Sequence, residues 1–263
     1  MNIFLQELRI NKKSLAYWYL TMLLLIGASV GKTSGLVDEG GQSLTAMLTL
    51  LPKPIQNLFG MGMVDFSQPI SIFAIIALYL ALIAAFHASG LGTAAFAREE
   101  RDRTFEFLYV RGKTRGQILL SKALADLVMI LLLNTCTWAF SVGLVLATEN
   151  TNIAAQFCPL MLGILVIQLF CYALGLMVSF LTSKMRMAAS ITTGVIMVLF
   201  LLSIAAPIAD IPALADWSPF GAFDGKAILS RGLRIAPVLI WLSLSGIMII
   251  ASFRLHDVRD LHT

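Results

Sequence analysis

Six stretches of the chain carry apolar side chains almost without interruption, at about residues 14–30, 69–97, 117–147, 157–181, 185–208 and 233–253. A run of about 18 or more apolar residues is long enough to cross a bilayer as a helix. A lipid-embedded segment must satisfy its backbone internally, which leaves helices as the natural spanning element for such runs. The pattern therefore predicts an all-α, polytopic membrane protein with six transmembrane helices, built as a single domain over residues 1–263.

The intervals between the runs have their own character. In residues 1–13, Phe4, Leu5 and Leu8 share a helix face while Arg9, Lys12 and Lys13 supply charge, which suits a short helix lying in the membrane interface. Ser14 is the expected N-cap of the first span, and Tyr17, Trp18 and Tyr19 form an aromatic belt at its start. The opening also imitates a secretion signal, and we expect it to stay as the first span. Within 31–68, Leu44, Met47, Leu48 and Leu51 follow helical spacing, but Pro52, Pro54 and Gly60 break the segment, so an interfacial helix pair on the outer surface is expected. The second span is rich in small residues, from Ala81 and Ala84 to Gly92 and Ala95, which let helices approach closely in lipid. Thr114 and Gln117 have capping-box spacing at the start of the third span. Residues 182–184 form a tight turn. Residues 209–232, with several prolines, Trp217, Phe220 and Phe223, read as an outer-surface or re-entrant segment. Pro237 is tolerated in the first turns of the sixth span.

Composition sharpens the class. Hydrophobic residues make up 58% of the chain and charged ones 13%, against about 25% charged in an ordinary soluble domain. The six-span layout places fourteen of the 19 Lys and Arg on one side: Arg9, Lys12, Lys13, seven between Arg98 and Lys122, Lys184, Arg186, Arg254 and Arg259. Lys32, Lys53, Lys226, Arg231 and Arg234 fall on the other. Positive charge concentrates in cytoplasmic loops, so both termini are expected inside. The same asymmetry accounts for the net charge of +4 without a nucleic-acid partner.

Cys136, Cys158 and Cys171 lie in or beside apolar runs and have no paired spacing, so they read as small buried hydrophobes. Two motifs tempt. Gly27 to Thr33 imitates a phosphate loop, but only three residues separate its glycines and no strand precedes it. Gly90 to Ala95 imitates a dinucleotide fingerprint, yet it ends a membrane span. No His/Cys set has metal-ligand spacing and no nucleophile sits near a base, so the chain is not expected to be an enzyme or to carry a cofactor.

Ionisable and amide groups inside spans are candidate functional sites by default. Here they are His87, Asp126, Asn134 and Gln168. One function they suggest is a self-contained secondary transporter or channel with His87, Asp126 and Asn134 as an ion relay. Against it, the sequence has neither an internal repeat nor a pair of broken helices. The bland alternative is hydrogen bonding between helices.

The central polar stretch, 98–116, alternates sign at Arg98, Glu99, Glu100, Arg101, Asp102 and Arg103, and then presents Phe105, Phe107, Leu108, Tyr109 and Val110. An apolar cluster rimmed by charge suggests a docking surface. Arg98, Glu99, Glu100, Thr104, Glu106, Phe107, Leu108, Thr114, Arg115, Gln117, Ile118, Ser121 and Lys122 resemble the cytoplasmic-loop motif of ABC-2 type exporter permeases. The stretch departs from that motif at Arg103, where Gly is usual, and at Val110–Gly112, where Pro is common. Leu51–Met61 and Trp217–Phe220 resemble the family more weakly. The resemblance implies a coupling helix between spans 2 and 3 that contacts an ABC ATPase through Glu99, Glu100, Arg101, Asp102, Arg103, Thr104, Phe105, Glu106, Phe107 and Leu108. It further implies two ATPase copies holding ATP and Mg, and a second permease half, identical or homologous. Spans 2 and 5 would line the path, in a bacterial inner or plasma membrane.

Overall fold

A computed structural model describes residues 3–37, 69–102, 115–148, 154–182, 185–209 and 211–258. Among them every regular element is a helix: α1 (Ile3–Val37), α2 (Pro69–Asp102), α3 (Arg115–Thr148), α4 (Ala154–Leu181), α5 (Met185–Ile208), the short α6 (Pro212–Ala215), α7 (Pro219–Ala222) and α8 (Gly225–Arg231), and α9 (Ile235–Val258). Five are long and apolar enough to cross a membrane, over Phe73–Ala95, Gly116–Leu144, Phe157–Leu181, Met185–Pro207 and Ile235–Leu255. The first expected span falls inside α1, where side chains are described only as far as Ala28. Of the segment from residue 31 to 68 where an interfacial helix pair is expected, residues 31–37 belong to α1, and residues 38–68, with the Leu51–Met61 stretch, lie outside the described residues.

Two boundaries differ from expectation. Ser14 is not an N-cap, because α1 runs unbroken from Ile3 to Val37 and contains both the expected interfacial helix and the first span. Neither proline nor glycine occurs between Ile3 and Ile26 to interrupt it. At the other boundary, α2 does not end with its apolar run. It continues to Asp102, so the backbone of Arg98–Asp102 is the last turn of a long helix and not the start of a separate one.

The fourth helix is the centre of the bundle. In its span 78% of residues are buried, against 56% for α2 and 22% for α9. Small residues set its contact with α2. A Cβ added at Gly92 would collide with the Tyr172 carbonyl oxygen and lie 2.8 Å from the Leu176 nitrogen, and one added at Gly175 would lie 2.6 Å from the Ser89 oxygen. Two backbones that close admit no side chain between them. Ala81, Ala84, Ala85 and Ala88 continue the same buried side of α2. Larger groups fill the remaining space: Phe73 meets Phe157 edge-on at 4.4 Å, and Phe170 meets Trp241 of α9 at 4.8 Å. Several buried hydroxyls are satisfied within their own helices, as where Thr137 donates to Leu133 O at 2.7 Å and Ser252 to Met248 O at 2.7 Å.

The short helices α6–α8 close the end of the bundle opposite the 103–114 connection. Ser218 caps α7 by accepting from the Phe220 N–H at 3.2 Å, and its hydroxyl donates to Leu199 O of α5 at 2.7 Å. Phe220 is buried with its ring 5.6 Å from that of Phe200. Asp224 caps α8 through the Ala227 N–H, and Gly232, at φ +78°, ends it in a conformation that suits glycine. Partial burial lowers the pKa of Lys226 on α8, and the nearby Asp224 carboxylate opposes that shift. The expectation of a surface or re-entrant segment at 209–232 thus becomes three short helices wedged against α2, α4 and α5.

Candidate functional site

The charged end of α2 and the start of α3 bracket residues 103–114. Of the residues expected to contact an ATPase, Glu99, Glu100, Arg101 and Asp102 have backbone in α2. Arg103, Thr104, Phe105, Glu106, Phe107 and Leu108 lie outside the described residues, as does the expected cap Thr114.

Just below this connection the structure buries a group of charges. The Lys122 ammonium of α3 lies 3.2 Å from Oε1 of Glu7 on α1 and donates to the carbonyl oxygen of Ala95 on α2 at 2.7 Å. One turn deeper on α3, Asp126 accepts a hydrogen bond from the Tyr172 hydroxyl of α4 at 3.3 Å. Asn11, one turn on from Glu7, is buried as well. The spacing explains the geometry. Residues four apart share a helix face, so Glu7 and Asn11 of α1, like Lys122 and Asp126 of α3, lie on single faces. Removing one partner of a buried ion pair costs about 3–5 kcal/mol, because the other charge is left uncompensated. Read along the chain, Glu7 belongs to an amphipathic start and Lys122 to a loop motif. The i, i+4 spacing marks a polar face on each helix but does not say that the two faces meet.

The intramembrane polar residues separate into distinct contacts. Asn134 of α3 donates to the Gln168 side-chain oxygen of α4 at 3.2 Å and lies the same distance from Met161 O. These two amides join neighbouring helices. Asp126 belongs with Tyr172. His87 is buried, its ring centroid 5.9 Å from that of Trp18 on α1 at an edge-on angle of 66°, and its Nδ1 has no hydrogen-bond partner among the described residues. Asn134 and Gln168 are therefore brought together, while His87 and Asp126 face different neighbours.

A cavity of about 330 Å³ opens between α1, α2 and α5. Trp18 and Phe86 supply its aromatic walls, and Ser89, Thr93, Thr192 and Thr193 bring hydroxyls to its lining. Ser89 and Thr93 donate to carbonyls of their own helix, whereas the buried Thr192 hydroxyl has no hydrogen-bond partner among the described residues. Among the described residues the lining holds no charged side chain. Such a space suits an uncharged, partly apolar occupant.

Among known proteins, residues 1–248 match the family model described as ABC-2 family transporter protein. No curated protein matches the chain.

Proposed function

Because this chain belongs to the ABC-2 transporter family, we propose that it is one half of an exporter permease driven by a separate ATPase. In this reading six helices span the membrane, with both termini and residues 98–116 in the cytoplasm. The cytoplasmic stretch docks on the ATPase through Glu99, Glu100, Arg101, Asp102, Arg103, Thr104, Phe105, Glu106, Phe107 and Leu108. Two ATPase subunits bind ATP and Mg, a second permease half completes the path, and α2 and α5 line it. The cavity between α1, α2 and α5 then opens beside that path.

One observation supports the reading most directly: α2 carries its helix past the apolar span into the charged residues Arg98–Asp102. A push at that end is transmitted along a rigid rod into the close contact between α2 and α4 at Gly92 and Gly175. Nucleotide binding can drive the permease only through contacts that differ between two states of the assembly, and this end of α2 is where such contacts would act.

Purification of the tagged chain from native membranes in mild detergent tests the proposal. An ATPase recovered in equal amount is the expected result. Glu99→Lys/Glu100→Lys should insert normally yet uncouple ATP hydrolysis from transport. Unaltered transport by that variant would remove the docking assignment. A chain that purifies alone in several detergents would remove the ATPase, and movement driven by an ion gradient through His87 and Asp126 would replace it.

A further inference from the structure

Lys122 sits where three helices meet. Its ammonium has three donors, and one position joins Glu7 of α1, the Ala95 carbonyl of α2 and α3 itself. Ala95 lies seven residues before Asp102, where α2 ends, and Lys122 seven residues after Arg115, where α3 begins. At 1.5 Å per helical residue, the joint is therefore about 10 Å from each of the two helix ends that flank the 103–114 connection. Both helices that carry the connection are held to one cation at matched depth, and α1 is held with them.

Adhesion between α1 and α3 does not require this. Leu8 and Leu15 of α1 already pack against the apolar cluster that includes Leu119 and Ile130 of α3. Apolar contact is non-directional and tolerates sliding. An ion pair that is also bonded to a backbone carbonyl does not, since a slip of one turn separates the partners. Buried ion pairs seldom add stability over an apolar replacement, and their best-attested use is to fix register.

We infer that Lys122 is a positioning residue that locks α1 in register with both ends of the 103–114 connection, so that displacement of the connection carries α1 with it. The first half of this inference stands on the joint alone. The second half rests on the proposed coupling to an ATPase.

The test uses the full chain in nanodiscs, with Cys136, Cys158 and Cys171 replaced and spin labels at the exposed positions Ile10 and Leu120 on α1 and α3. The wild-type background should give one narrow distance distribution. Lys122→Met should lose it, with the distribution spreading by about 5 Å, one helical turn. Glu7→Gln is the milder variant should Lys122→Met fail to fold, and a smaller broadening is expected from it. The two changes combined should broaden no further than Lys122→Met alone. A distribution unchanged in either variant overturns the lock. The same labels in the ATPase complex then report the motion. With ATP and vanadate, α1 and α3 should keep their separation in the wild type and lose it in Lys122→Met, while the ATPase still copurifies. Separation kept in both overturns the carriage of α1. Failure of any ATPase to copurify with the wild type sinks the exporter reading and leaves the nanodisc measurement to decide the lock.

Discussion

Gly90 and Gly92 stand two residues apart on the same helix and meet opposite circumstances. Among the described residues a Cβ at Gly90 finds nothing within 4 Å, whereas one at Gly92 strikes the backbone of α4. Backbone cannot step aside as a flexible side chain can, so Gly92→Ala must push two helices apart. Overpacking of this kind costs about 1–3 kcal/mol. Gly90→Ala should be neutral or stabilise the helix by up to about 1 kcal/mol. Thermal unfolding of the two purified variants would separate them, and equal midpoints would refute the close-contact account. The stripe of small residues was legible in the sequence, but which members touch α4 was not. Composition names candidates for close approach, while the register between two helices decides among them. Glu7 and Lys122 show the same limit, since residues 115 positions apart carry no local mark of their pairing.

At the scale of elements, long apolar runs are the most readable signal in a chain of this kind. The runs at 117–147, 157–181 and 185–208 fall within a few residues of α3, α4 and α5. The polar ends were harder to read. A charged residue argues for leaving the membrane only while it lacks a partner, and Glu7 has one in Lys122, so nothing requires a break between residues 13 and 14. The short helices at 212–231 were also hidden, because four to seven residues cannot display a periodicity. Their packing yields a specific expectation. A Cβ at Gly225 would lie 2.7 Å from Ala74 O and 3.2 Å from Ala74 Cα. Gly225→Val should therefore dislodge α8 from α2 and quicken protease cleavage between residues 209 and 232, while Gly246→Ala, with open space around it, should not. Equal cleavage of the two variants would argue that α8 is not seated as described.

For the whole molecule, class and family membership followed from hydropathy and one motif. The buried joint around Lys122 could not be anticipated, because three segments distant in sequence build it. The proposed orientation can be checked in intact cells. With native cysteines replaced, Asn150→Cys should react with a membrane-impermeant maleimide from outside, and Lys113→Cys only after permeabilisation. The reverse pattern would put the 103–114 connection on the wrong side for an ATPase. The unbroken first helix has a mechanical consequence as well. Its 35 residues make a rod about 52 Å long, set against a hydrocarbon layer of about 30 Å. Gripped at Glu7, close to one tip, it is a lever. A tilt of roughly 10° about its midpoint would swing each tip by about 4.5 Å, so a modest pull on Lys122 would be felt at the far end of α1.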